Sequence, residues 1–509
     1  MIYAFSGFQV DSDRLELSRD GETIALQPQA FALLLFLIEN ADRVVSKDEV
    51  IDTVWQGRIV GDGTLNARIN AIRRALGDDG TTQGMIKTLP RQGFRFVAAL
   101  EDPANASVPA APAAGLAAAP SKASIAVLPF VNIGADQEQV YFADGLTEDL
   151  ITDLSKNRDL FVIARNSSFS FRNSPKNVTE IGQELGVAHV LEGSVRKAGN
   201  RIRINAQLID TQTGGHVWAE RYDSDVQDIF ELQDEITVKI TKALEVSLTP
   251  SGAARRGTDS VEAYELSLKG RAKFFMFSPE ENQNCIDLLD QAISMDPEYS
   301  DAWAELVFPY QSGWSFAWPG YDNGLKIAAE KARRAVELDS NSSLALSRLG
   351  WVEIFLGEAK QSIAHFDRAV EIDPNNADTH IWFSEALNFA GHPARAVEMG
   401  LTARHFDPLG PPNVLHHIGH AYFLLGDLDR GEEYIGRAIR MAPTFPPARL
   451  VMAALLAEAG RIGDAEAQIS DLLAIDPAYD FKRYDERYPY YNEDHRSRMA
   501  AGLKLAGLR

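Results

Sequence analysis

Cysteine is almost missing from this chain: its 509 residues contain one, Cys285. A lone thiol excludes an intramolecular disulfide framework and any Cys-rich zinc or iron-sulfur site, and it fits a reducing compartment. Long apolar runs are missing too. The longest, residues 30–38, has nine residues, where a bilayer crossing needs about 20. The N-terminal Met1-Ile2-Tyr3-Ala4 has no basic stretch of the kind that opens a secretory leader. Positive charge is in deficit, with 50 Lys and Arg against 72 Asp and Glu for a net −22. The chain as a whole is therefore repelled by nucleic acid and anionic membrane, and any such binding needs a local patch. There is no GxxxxGK[ST] phosphate loop. These absences lead us to expect a cytoplasmic protein with no membrane partner, no cofactor and no metal.

What is present is a multidomain composition. Hydrophobic residues make up 45% and charged residues 24%, ordinary for globular domains, and the length accommodates about three or four of them. Residues 101–122 are rich in Ala and Pro (Pro103, Pro109, Pro112, Pro120) and read as an extended tether. A second seam falls at Thr249-Pro250-Ser251-Gly252. The expected division is a head at 1–100, a linker at 101–123, a middle block at 124–250 and a C-terminal block at 260–509.

The head holds 11 Lys and Arg against 13 Asp and Glu and so escapes the acidity of the rest. Its cations gather at one end: residues 64–97 contain Arg68, Arg73, Arg74, Lys87, Arg91 and Arg95 against Asp78 and Asp79. Alternating segments at 8–10, 15–17 and 23–26 predict a short antiparallel sheet. Residues 30–39 are apolar enough for a buried helix. Ser46, with Glu49 three residues on, predicts a capped helix over 47–55. In 64–76, Leu65, Ile69, Ile72 and Leu76 form one inward stripe. The opposite face presents Ala67, Asn70, Ala71 and Arg74, with Thr64, Asn66, Arg68 and Arg73 alongside. That face suits a major groove, since Asn pairs with adenine, Arg pairs with guanine, and small residues permit close approach. Segments 85–89 and 94–97 flank the cationic tip Pro90-Arg91-Gln92-Gly93, a hairpin able to reach backbone or minor groove. The competing reading is an ordinary solvated helix face.

The text "ALLLFLIENADRVVSKDEVIDTVW", "TLNARINAIRRALGDD" and "IKTLPRQGFRFVA" resembles the winged-helix (α+β) output domain of the OmpR/PhoB response regulators over about 95 residues. That family works in phosphorelay signal transduction. By this resemblance the third helix enters the major groove and the wing the neighbouring minor groove. Asn66, Asn70 and Arg74 become base readers, and Thr64, Arg68, Arg73 and Arg91 phosphate contacts. The family usually carries a receiver domain ahead of this module, but here the winged helix starts near Met1, so we expect a switch other than aspartyl phosphorylation.

The middle block alternates strands and helices, with strands expected at 124–130, 160–164, 189–196, 201–210 and 216–221 and helices at 141–154, 178–185 and 229–248. Its words "IAVLPF", "YFADGLTEDLITDLS" and "VLEGSVRKAGNRIRINAQLID" resemble a TolB-N-like α/β domain, found in bacterial regulators and beside some class III adenylate cyclase domains. Arg165, Arg196, Arg201 and Arg203 could make an anion pocket with Asp144-Gly145, or they could simply face water. Ser167, Ser168 and Ser170 have no sequence-near His to activate them.

In the C-terminal block, residues 296, 339, 373, 407, 442 and 476 begin a recurring Asp-Pro-like pair at spacings of 43, 34, 34, 35 and 34. A period of 34 is that of tetratricopeptide repeats, and the block resembles about six of them from 266 to 479, an all-α solenoid with a final helix near 494–505. An insertion at 314–321 brings Trp314, Phe316, Trp318 and Tyr321 together, either as a partner anchor or as internal packing. His416 and His420 share a helix face without an evident third metal ligand. With Trp351 and Glu385 they fall at groove positions and are expected to contact a protein or peptide partner. Cys285 sits at a small-residue packing position.

The combination points to a DNA-binding transcriptional regulator. Its head reads double-stranded promoter DNA, its body receives a signal or partner, and the tether lets two heads reach adjacent half-sites if the body homodimerises. A non-catalytic repeat scaffold is the alternative, and an enzyme sited in the middle block the weaker one.

Overall fold

A computed structural model describes residues 2–5, 8–11, 16–19, 22–24, 28–41, 43–47, 49–50, 68–69, 72–73, 75–76, 78, 85–89, 93–98, 123–134, 139–246, 257–274, 276 and 278–509. The chain divides into two compact units, Met1–Ala114 and Gly115–Arg509.

In the first unit, β1 (Ile2–Phe5), β2 (Phe8–Asp11), β3 (Glu16–Arg19) and β4 (Glu22–Ile24) form an antiparallel meander in that order. β1 adds to the three predicted strands because it is too short to show alternation, yet its Phe5 is buried. The helix Pro28–Glu39 buries Phe31, Leu34 and Leu37, and β5 (Ile86–Leu89) pairs with β6 (Gly93–Phe96) as a hairpin. Ile69, Ile72 and Leu76 are buried in the same core, as the stripe predicts, and Leu65 lies outside the described residues. Sheet, helices and terminal hairpin around one core make a winged helix.

The second unit opens on a mixed sheet in the order β12-β11-β10-β7-β9. Its strands are β7 (Ala123–Val127), β9 (Leu160–Val162), β10 (His189–Ala198), β11 (Arg201–Asp210) and β12 (His216–Asp225), with the short β8 (Val131–Asn132) beside β10. β10 runs parallel to β7 and antiparallel to β11. Gly199-Asn200 joins β10 to β11, and Gly199 takes the left-handed φ of 58° that a two-residue hairpin requires. Helices Val140–Ser155 and Ile229–Ala243 pack their apolar stripes on one face of the sheet, and Val178–Leu185 covers the other. The predicted helix over 229–248 ends earlier, at Ala243.

From Val261 onward the described residues are helical hairpins: six pairs, from Val261–Phe274 with Pro279–Met295 to Pro446–Glu458 with Ile462–Ile475, then Phe481–Arg487 and Glu493–Leu505. Ala335, Ala369, Ala403 and Ala438 recur one repeat apart and are fully buried, so that the paired helices approach closely. Cys285 is buried among apolar side chains, which push its thiol pKa up, as a structural thiol requires. The insertion packs inward. Trp314 meets Phe355 edge-on, the Arg487 guanidinium stacks on Trp314 at 4.9 Å, and Tyr321 is buried with its hydroxyl on Asn282.

The middle block and the repeats belong to one unit because the repeat punctuation itself grips the α/β sheet. The Asp373 carboxylate accepts from Ser155 Oγ at 3.0 and 3.1 Å, while Asn375 Nδ2 donates to the carbonyls of Ser155, Asn157 and Leu160. One repeat later, Asp407 accepts from Ser167 N at 2.8 Å, Ser167 Oγ at 2.5 Å and Asn166 Nδ2 at 2.9 Å. These bonds order Arg165–Phe169 as a short helix that local sequence did not reveal. No described helix is long and apolar enough to cross a membrane.

Candidate nucleic-acid interface and interior cavity

In the head, three local devices position the wing. Ser46 and Glu49 form the predicted capping box, Glu49 N donating to Ser46 Oγ and Ser46 N to Glu49 Oε2. The Ser46 amide, with Arg43, holds the Glu49 carboxyl down at about 2. Val45 then bridges to Phe94 through two backbone hydrogen bonds of 2.8 and 2.9 Å. That approach explains Gly93 at the wing: a Cβ there would sit 1.9 Å from the Val45 carbonyl oxygen, and its φ of 137° lies where L-residues rarely go.

The third device corrects one expectation. Arg73, read as a phosphate contact, is buried, and its Nη2 donates to the Ile86 carbonyl at 2.8 Å and Thr88 Oγ1 at 2.9 Å. Buried Asp78, counted in the sequence only as an opposing charge, accepts from the Met85 and Ile86 amides through Oδ2. Both brace the first strand of the wing against the helix. A long side chain on the helix flank reaches the hairpin because the hairpin folds back beside it, a relation that helix periodicity does not contain. Arg73→Ala should therefore destabilise the head by about 1–3 kcal/mol, the cost of leaving a buried carbonyl without its donor. Urea unfolding reads this; uniform loss of DNA affinity with unchanged stability would restore Arg73 to the phosphates.

Arg68 is half-buried, and Lys87 and Arg95 are exposed on the wing strands. Thr64, Asn66, Asn70, Arg74 and Arg91 lie outside the described residues.

In the second unit, Arg196, Arg201 and Arg203 face outward, the second of the two readings of these arginines, rather than forming an anion pocket. Asp144 and Gly145 lie within the helix Val140–Ser155, Arg165 pairs with Glu148, and Arg201 and Arg203 pair with Asp223 on the outer surface. The repeats' inner side is not an open groove either. Helix Val140–Ser155 faces it from one side. The segment after Tyr479 returns across it, Tyr491 bonding the Phe389 and Ile354 carbonyls and Arg483 the Phe316 carbonyl. A cavity of about 1540 Å³ remains, lined among others by Phe308, Arg348, Trp351, Trp382, Glu385 and His416.

The four side chains expected to meet a partner are thus interior. Trp351, Glu385, His416 and His420 are all buried, and the first three line the cavity. This corrects the picture of a surface groove: helix Val140–Ser155 and the returning segment occupy the space a folded partner would need. Charges inside are unevenly matched. Arg271 lies within 4 Å of Glu148 and Asp149. Arg348 stacks on Phe308 at 3.8 Å, and burial lowers its pKa. Burial, reinforced by Glu305, pushes the Asp301 carboxyl up to about 6. Burial works to raise Glu385 as well, but the neighbouring His420, His417 and His416 outweigh it and hold that carboxyl well below the usual range. His417 is pushed down to about 4, chiefly by burial, with Nδ1 3.0 Å from the Ile381 carbonyl oxygen.

Comparison with known proteins finds matches over four stretches of the chain. Residues 21–96 match the family described as transcriptional regulatory protein, C terminal; residues 121–275 match the HilA/YgeH-like transcriptional regulator, second domain. Residues 345–376 and 422–485 match tetratricopeptide repeats. A Rhizobium meliloti protein whose name places it among the adenylate cyclases is 46% identical over 245 residues, 46% of this chain and 41% of that protein. The chain thus spans less than half the length of that relative. The transcriptional regulator HilA of Salmonella typhi is 25% identical over 400 residues, 78% of this chain and 69% of that protein. The transcriptional activator CadC of Escherichia coli is 32% identical over 83 residues, 16% of each. The chain combines an OmpR/PhoB-type winged-helix domain, a HilA-like middle domain and tetratricopeptide repeats.

Proposed function

We infer that the protein is a cytoplasmic transcriptional regulator that binds promoter DNA through its winged helix and receives its input in the body formed by the α/β sheet and the repeats. The observation that carries this reading is the braced wing. Arg73, Asp78 and the Val45–Phe94 bridge are used internally to fix a hairpin whose outer strand positions carry Lys87 and Arg95. A rigid cationic hairpin beside a helix is what groove recognition requires. The regulator families matched over 21–96 and 121–275 support it.

Within this reading Asn66, Asn70 and Arg74 contact base edges and Thr64, Arg68 and Arg91 contact phosphates, on tandem half-sites if two bodies associate. The cavity exceeds the roughly 300–1,000 Å³ of common small-ligand sites and has room for a short peptide, while helix Val140–Ser155 and the segment after Tyr479 leave no open groove for a folded protein. No catalytic step is needed, and the Ser167 hydroxyl is committed to Asp407. The test is selection of duplexes from a random library by the full chain, repeated with Arg74→Ala. A defined motif that loses preference at one position in the variant, by about 1–3 kcal/mol, is expected. Recovery of no motif would count against the reading.

A further inference from the structure

His416 and His420 lie four residues apart on Pro412–Leu425, so their rings share a face, stacked with centroids 5.8 Å apart. Glu385 belongs to the first helix of the preceding repeat, and the solenoid period brings it opposite them. Glu385 Oε1 is 3.0 Å from His420 Nδ1 and 3.7 Å from His416 Nε2, and one ligand atom of each side chain lies within 4.8 Å of the other two. A tetrahedral ion with bonds of about 2.0–2.2 Å keeps its ligand atoms about 3.3–3.6 Å apart. The two measured separations bracket that range.

The surroundings suit ligands rather than spare polar groups. Asn388 Nδ2 donates to Glu385 Oε2 at 2.8 Å and fixes the carboxylate, while Tyr490 Oη lies 2.9 Å from His420 Nε2 and backs the nitrogen that faces away. His416 supplies an independent pointer. It is 2% exposed, its Nδ1 has no partner, and its Nε2 approaches Glu385 at a distance too long for a hydrogen bond. Buried imidazoles ordinarily satisfy at least one nitrogen; this one instead points its second nitrogen at a carboxylate already shared with another histidine.

We propose that Glu385, His416 and His420 bind one divalent transition-metal ion of the zinc and cobalt class, with the remaining coordination position opening on the interior cavity. Two nitrogens and one carboxylate oxygen favour such an ion over magnesium or calcium, which take oxygen ligands. Glu385 and His416 line the cavity, which provides the entry path. Binding uses the His420 tautomer that carries its proton on Nε2 and donates it to Tyr490 Oη. The site goes beyond the DNA-binding reading and stands or falls separately from it.

The test is titration of the full-length, chelator-stripped protein with Co²⁺, read by the visible bands of a four-coordinate ion and by uptake per chain. One ion per chain is expected. His416→Ala removes a ligand without orphaning a hydrogen bond and should weaken binding at least about 100-fold, beyond the roughly 10–100-fold of an outer partner such as Tyr490→Phe. His392→Ala, at an exposed position outside the cluster, should bind like the parent. Circular dichroism verifies that each variant is folded, and Glu385→Gln replaces His416→Ala if the latter is not. Absence of stoichiometric uptake by the parent, or an unchanged spectrum in the folded ligand variant, overturns the proposal.

Discussion

Replacing Asp407 with alanine is expected to loosen one of the two aspartate junctions between the α/β sheet and the repeats. The Asp407 carboxylate is 1% exposed and accepts from the Ser167 amide, the Ser167 hydroxyl and the Asn166 side chain. Ser167 is itself fully buried, so its two donors would be left without partners at about 1–3 kcal/mol each. A loss of about 3–5 kcal/mol follows for that junction. Asp407→Asn, which keeps one acceptor oxygen, should lose about half as much. Because such a chain need not unfold in one step, the measurement is the first urea transition together with limited proteolysis between residues 164 and 170. An unchanged first transition and cleavage pattern would show that the contact does not hold the two blocks together.

Much of this architecture was legible in the chain, and the misses share a physical cause. The 34-residue period follows from local packing, in which a small residue such as Ala369 or Ala403 is needed once per helix pair, so it appears in the text. The capping box at Ser46 and Glu49 and the hairpin at Gly199 are equally local. The inward turn of Arg73 was not legible, because its partners Ile86 and Thr88 arrive through tertiary folding. Asp373 and Asp407 looked like repeat punctuation, and only the fold shows that they also grip the α/β sheet. Glu385 is an intermediate case. The repeat register places it at a groove position one repeat before His420, but the helix pattern does not show that its carboxylate lies beside both histidines.

The largest effect on function is expected from removing the head. A chain beginning at residue 101 should lose specific duplex binding by about 10³-fold or more, the margin that separates specific from non-specific association. The remaining body is strongly acidic, since the head holds only 13 of the 72 Asp and Glu but 11 of the 50 Lys and Arg, and it should not retain even the non-specific component. Arg91→Ala in the full chain should weaken all duplexes alike, in contrast to the positional effect of Arg74→Ala.

The most direct measurement of DNA recognition by the head is the affinity of the full chain and of the chain from residue 101 for one selected duplex, across a range of salt. The full chain should show log affinity falling linearly with log salt, by about 0.9 for each phosphate neutralised. Arg91→Ala should reduce that slope by about 1, and the shortened chain should show no binding at any salt. Equal affinity and equal slope for the two chains would contradict recognition through the head.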